Sequence, residues 1–200
     1  GLVYSSGIFR STDGGASFQE VNNGLNFQAW DGTRFKRVLI DKGSSYPNTK
    51  IYTTKCNWDE SVYAIYQSSN SGDSWATVTT FPQSIIPLFK EAEIDPQNGN
   101  YLYFASNNEL WRTDDAMATT GGWTDLTSDL VTSLSLSGGV NVANIVIRTQ
   151  QLAGYICALV FLSNGNICIA TSTDYGSTWT KVFGPTPSPG FKGGFDVSEI

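Results

Sequence analysis

Two hundred residues leave room for one domain of the usual ~100–200 residues with a sizeable core. Charged residues make up 15% of the chain against ~25% in an average soluble protein, while 11 Phe, 9 Tyr, 6 Trp and 20 Gly argue for many short strands and turns. The net charge of −6 excludes a basic stripe for phosphates, so neither nucleic acid nor an anionic membrane surface is an expected partner.

In chain order, Leu2-Val3-Tyr4 is predicted as a strand, followed by Ile8-Phe9-Arg10-Ser11-Thr12-Asp13. Phe35-Lys36 to Ile40-Asp41 and Ile51-Tyr52 come next, then Ile65-Tyr66-Gln67-Ser68-Ser69-Asn70, which aligns with Ile8 to Asp13 without gaps. The same sequence of features returns with Phe89-Lys90 to Ile94-Asp95, Leu102-Tyr103 and Leu110-Trp111-Arg112-Thr113-Asp114-Asp115. A last unit has Ile145 to Arg148, Tyr155 to Leu162 and Ile169-Ala170-Thr171-Ser172-Thr173-Asp174, and Phe191 to Asp196 begins another. Between Leu162 and Ile169, Asn164-Gly165 is predicted as a two-residue hairpin, setting Cys168 opposite Phe161. Periods of 57, 45 and 59 residues separate Asp13, Asn70, Asp115 and Asp174. A glycine and an aromatic residue follow two and five positions later: Gly15 and Phe18, Gly72 and Trp75, Gly176 and Trp179. A three-residue insertion moves the third aromatic to Trp123.

These segments resemble the Asp-box, Ser/Thr-x-Asp-x-Gly-x-Ser/Thr-Trp/Phe, of sialidase-like, sortilin-like, xyloglucanase-like and other BNR-repeat β-propellers. Ser11 to Phe18 and Ser172 to Trp179 match it in full, Ser68 to Trp75 has Asn for Asp, and Thr113 to Trp123 is degenerate. The resemblance implies an all-β propeller of four-stranded antiparallel blades, with three and a half to four blades present. Repeats run roughly 1–26, 27–84, 85–134 and 135–184, and 185–200 forms a linker and the start of another blade. The chain reads as an excerpt of a larger propeller, with a closed four-bladed ring as the alternative. In each turn the Asp or Asn caps backbone N–H groups, Gly takes the positive φ and the aromatic returns to the core. Asp13, Phe18, Asn70, Trp75, Asp115, Trp123, Asp174 and Trp179 are therefore expected to be structural, with the four aromatic rings buried. Asp41, Asp95 and Asp196 recur in register and carry the same expectation.

Antiparallel strands place the repeat turns on one face of the propeller and the remaining loops on the other, where propeller ligands usually sit. Two segments on that second face hold Trp residues outside the repeat, each followed by an acid: Phe27 to Arg34, with Trp30 and Asp31, and Lys55 to Ser61, with Trp58, Asp59 and Glu60. Indole faces stack on sugar rings while carboxylates accept hydroxyl protons. Trp30, Arg34, Trp58 and Asp59 are thus candidate ligand-binding residues, and simple loop packing by both Trp is the competing reading. If the protein turns over a glycan, Asp31, Asp59 and Glu60 are the candidate catalytic carboxylates.

With no His, the usual general base and the commonest metal ligand are both missing. Cys56, Cys157 and Cys168 have no metal-ligand spacing and are expected to be buried free thiols. No metal or cofactor is expected. The Arg-Ile-Pro segment of sialidases does not occur, and the catalytic acids of xyloglucanase-like enzymes find no residue-by-residue match. The expectation is therefore a secreted or cell-surface propeller that recognises a glycan or a protein surface, in adhesion for example, without catalysis; a fragment of a glycoside hydrolase using paired carboxylates is the alternative. The rest of a larger propeller, or another chain, is a further expected partner.

Overall fold

The computed structural model describes residues 7–26, 34–56, 62–78, 89–106, 108–115, 122–136 and 140–187. Two compact units divide the chain, one holding 1–88 and 117–121, the other 89–116 and 122–200.

In the first unit, strands β1 (Phe9–Arg10) and β2 (Gln19–Glu20) form a hairpin. Strands β3 (Arg34–Ile40), β4 (Ile51–Cys56), β5 (Val62–Ser68) and β6 (Ala76–Thr77) form a four-stranded antiparallel meander in chain order. A small core of Leu25, Tyr66 and Trp75, with Ile8, Phe35, Ile51 and Ala64 against it, fills one side of this sheet.

The second unit repeats the meander twice. One sheet contains β7 (Phe89–Ile94), β8 (Leu102–Ser106), β9 (Leu110–Thr113) and β10 (Trp123–Asp125). The other contains β11 (Val142–Thr149), β12 (Ile156–Leu162), β13 (Asn166–Ser172) and β14 (Thr180–Pro187). Tyr103, Ala105 and Leu110 of the first sheet share one core with Ile145, Ile147, Ile156, Ala158, Val160 and Ala170 of the second. Strand β12 is apolar at every position and nearly all buried, the pattern of a strand covered on both faces. Each of these three sheets is a blade, and the β1–β2 hairpin has the outer two strands of another. Between β10 and β11 the chain forms one helix, α1 (Thr127–Leu134), which buries Leu130 and Leu134 in the same core and ends at Ser135 in the left-handed region.

The first strand of each blade carries a register shift near its start, between Phe35 and Arg37, between Phe89 and Glu91, and between Val142 and Asn144. In the first two the extra residue is Lys36 or Lys90, the lysine of the Phe-Lys repeat. A bulge there sharpens strand twist.

Two sequence expectations are corrected. The β12–β13 hairpin has three loop residues, not two: Phe161 pairs with Ile167, Val160 with Cys168. Gly165, at φ 80°, takes the left-handed position that a three-residue loop requires, which moves every pair by one residue. Phe18, just before β2 of the β1–β2 hairpin, is 64% exposed instead of buried. Trp75 is buried, while Trp123 and Trp179 are half-buried. All three cysteines are buried free thiols.

Candidate functional site

Three of the four repeat turns share one chemistry, and the fourth keeps part of it. In the last of them Ser172 Oγ accepts from Gly176 N at 2.8 Å and donates to Asp174 Oδ1 at 2.8 Å. Asp174 then accepts from Thr178 N and Thr178 Oγ1 at 2.8 and 2.6 Å. Ser11, Asp13, Gly15 and Ser17 repeat this arrangement, with Gly15 N to Ser11 Oγ at 2.7 Å and Ser17 N to Asp13 Oδ1 at 2.9 Å. Asn70 substitutes for the acid by accepting from Ser74 N at 3.0 Å and donating its amide to Ser74 Oγ at 2.9 Å. In the degenerate copy Thr113 Oγ1 accepts from Asp115 N at 3.2 Å.

Both oxygens of the Asp13 and Asp174 carboxylates are therefore committed to their own loops. Hydrogen bonds from Ser17, then Ser11, hold the Asp13 carboxyl well below the ordinary range. At Asp174 burial opposes ionisation, but the bonds from Thr178 and Ser172 outweigh it and the carboxyl is again lowered. Such groups are poor general acids.

The aromatic residues close the turns. Trp75 donates Nε1–H to the Val21 carbonyl at 2.7 Å, Trp179 to the Gly176 carbonyl at 2.9 Å, and Trp123 packs edge-on against Phe104 at 5.4 Å. Gly176, at φ 84°, lies under the Trp179 ring, where a side chain would also meet Leu126.

Asp41 and Asp95 behave as turn residues. Asp41 accepts from Gly43 N at 2.8 Å. Asp95, 1% exposed, accepts from Gln97 N and Asn98 N, and through its second oxygen from Gly154 N at 2.8 Å in the next blade. The first-to-second-strand turns and the repeat turns meet at one end of the blades: Thr49 N donates to Ser71 Oγ at 3.1 Å, and Tyr175 N to the Gly154 carbonyl at 3.0 Å.

The described residues that flank the candidate ligand segments lie at the opposite end. Trp30, Asp31, Trp58, Asp59 and Glu60 lie outside the described residues, as does Asp196; Arg34 is described by its backbone. Their anchors are nevertheless defined. Arg34 pairs with Cys56, and Cys56 pairs with Val62, so the segment leading into β3 and the loop joining β4 to β5 both attach at one end of a single blade. Buried beneath that end, Lys55 donates from Nζ to the Asn26 carbonyl, and Tyr66 Oη accepts from Asn26 N at 3.3 Å.

A charged group that sequence reading missed sits on the first strands of the second unit. Arg148 Nη1 of β11 lies 3.3 Å from Glu93 Oε1 and 3.6 Å from Glu91 Oε2 of β7. The two acids are two positions apart in a strand, which puts both side chains on one face. A single guanidinium ties both to the neighbouring blade, so the group works as a latch. Alternation within Phe89 to Ile94 carried that signal, but the partner blade was needed to read it.

Among the described residues no helix is long and apolar enough to cross a membrane. No family model matches the chain. Two curated relatives are similar to it: a xyloglucanase from Paenibacillus sp, 29% identical over 181 residues, covering 81% of this chain and 16% of the relative; and a xyloglucanase from Hypocrea jecorina (strain QM6a), 27% identical over 191 residues, covering 84% of this chain and 22% of the relative. The chain thus spans less than a quarter of the length of either. Among solved structures, the GH74 xyloglucanase from Xanthomonas campestris aligns with a TM-score of 0.62 at 18% identity, covering 90% of this chain and 27% of that one. The fold is that of β-propeller blades. The expectation of a propeller that binds without turnover is corrected by these relatives, which are enzymes acting on a glycan.

Proposed function

We propose that this chain is a β-propeller region of a secreted glycoside hydrolase acting on a xyloglucan-type glucan. The observation that carries the reading is its similarity to two xyloglucanases over more than four-fifths of its length. In this reading the whole chain, 1–200, is one propeller region whose four repeat turns are Asp-boxes and serve as scaffold. Contact with the glycan falls to the blade end anchored by Arg34, Cys56 and Val62. Trp30 and Trp58 are the stacking platforms there, Arg34 donates to sugar oxygens, and Asp31, Asp59 and Glu60 supply carboxylates. Hydrolysis needs one carboxyl that gives a proton to the leaving oxygen and a second that attacks the anomeric carbon or activates water.

The test is incubation of the protein with xyloglucan, following new reducing ends. Release of oligosaccharides, diminished in Asp31→Asn or Asp59→Asn, is the expected result. Retention of xyloglucan with no new reducing ends overturns the hydrolytic reading, and undiminished turnover in both variants removes these residues from it.

A further inference from the structure

The strongest unassigned chemistry lies within the second unit, between its two blades. Tyr103 of β8 is fully buried, and its hydroxyl has no hydrogen-bond partner among the described residues. Arg112 of β9, directly opposite Tyr103 in the ladder, has its Nε–H buried and equally without a partner. Cross-strand neighbours project from the same face. Here that face meets the next blade: Tyr103 belongs to the shared core, and Arg112 Nη1 donates to the Tyr175 carbonyl at 2.7 Å.

We propose that Arg112 Nε and Tyr103 Oη together bind one small hydrogen-bond acceptor, a water molecule or a halide ion, enclosed at the seam between the two blades. Two buried donors on cross-strand neighbours would each carry a desolvation penalty without an acceptor, and native interiors satisfy such groups with protein or with ordered water. Asp95 already takes three backbone N–H groups and the Tyr175 carbonyl takes Arg112 Nη1. Burial, reinforced by Asp95, pushes the Tyr103 phenol well above its ordinary value, so it stays protonated and able to donate. A guanidinium N–H and a phenol O–H both call for an acceptor.

The position is built into the repeat. Arg10, Gln67 and Arg112 are equivalent in the aligned segments, and each has one buried polar atom without a partner: Arg10 Nε, Gln67 Oε1 and Arg112 Nε. Gln67 lies opposite Tyr52 as Arg112 lies opposite Tyr103. The two arginines differ in how their charge is paired. Arg10 also pairs with Asp73 at 2.7 Å, whereas Arg112 has Ser177 at the equivalent place, at 3.5 Å, and keeps its charge unpaired by any carboxylate among the described residues.

This inference is independent of the hydrolytic reading, and its test involves no substrate. Crystals of the protein grown in bromide and in halide-free solution are compared at the bromine absorption edge. A peak within hydrogen-bond distance of both Arg112 Nε and Tyr103 Oη supports the site; anomalous signal in bromide identifies a halide, and its absence identifies water. No peak in either crystal overturns the proposal. Tyr103→Phe gives a second reading in solution. Loss of a bonded hydroxyl is expected to lower Tm by roughly 2–4 °C, whereas an unchanged or raised Tm means that the hydroxyl was bound to nothing and also overturns it.

Discussion

Arg112 Nη1 donates to the backbone carbonyl of Tyr175 at 2.7 Å, and Arg10 Nη1 donates to that of Ser71 at the same distance. Each arginine precedes a repeat turn, and each acceptor is the left-handed residue of the turn in the next blade, with φ 61° at Tyr175 and 59° at Ser71. The carbonyl that this backbone conformation turns outward becomes the attachment point for the preceding blade. Around Arg112 the seam gains a cation–π contact with Tyr101 at 5.6 Å and a stack of Tyr101 on Tyr175 at 4.2 Å.

Replacing Arg112 by Ala is expected to destabilise the protein by about 1.5–3 kcal/mol, the range for a hydrogen bond to a charged group. Arg112→Lys keeps the charge but loses the fork, and should recover only part of this. Urea unfolding followed by tryptophan fluorescence checks both.

Trp75 and Phe18 occupy equivalent positions in the repeat but different environments. Trp75→Ala removes a ring that is 6% exposed together with its bond to Val21, and should cost roughly 3–5 kcal/mol. Phe18→Ala, at a ring that is 64% exposed, should stay within about 0.5 kcal/mol of the parent. Thermal unfolding of the two variants side by side gives the contrast.

The lowered Asp174 carboxyl makes stability depend on pH. A group whose folded pKa lies below its unfolded value contributes stability above the unfolded pKa, and loses it as pH falls through the folded one. Stability is therefore expected to decline below about pH 4, with part of the slope removed in Asp174→Asn. That variant should keep its turn, because Asn70 already closes the same turn through Ser74. Asp174→Ala, without any acceptor, should lose about 1 kcal/mol, the scale of a deleted cap. Unfolding measured between pH 2 and 7 separates the three proteins.

The cysteines give a probe of the core. Burial pushes the Cys157 thiol up to about 11 and raises that of Cys168, and Cys56 is buried as well. A disulfide reagent at pH 8 is expected to label the folded protein slowly and to titrate 3 thiols rapidly once denaturant is added.

Trp30→Ala and Trp58→Ala are expected to weaken xyloglucan engagement by about 1–3 kcal/mol each, the scale of an aromatic anchor, chiefly as a rise in KM. A large fall in Tm in either variant would mark a packing residue instead.

The blades are encoded locally. Repeated apolar pairs, Phe-Lys bulge positions and the Ser-Asp-Gly-aromatic turns are local signals, and turn chemistry depends on residues within a few positions of each other, as Ser172, Asp174, Gly176 and Thr178 illustrate. Of the candidate site only the attachment points are described: Arg34, Cys56 and Val62, which flank the two Trp-acid segments, share one blade end. Everything that needs a second blade emerges only when the blades pack. Phe18 and Trp75 read alike, yet Phe18 is exposed while Trp75 is buried with Leu25 and Tyr66. Arg112 and Arg10 read as equivalent residues, yet Asp73 faces one and Ser177 the other. The orphaned donors of Tyr103 and Arg112 exist only because two blades close over them. Burial and partnership across blades join residues some sixty positions apart, such as Arg112 and Tyr175, and no local pattern encodes which of them will meet.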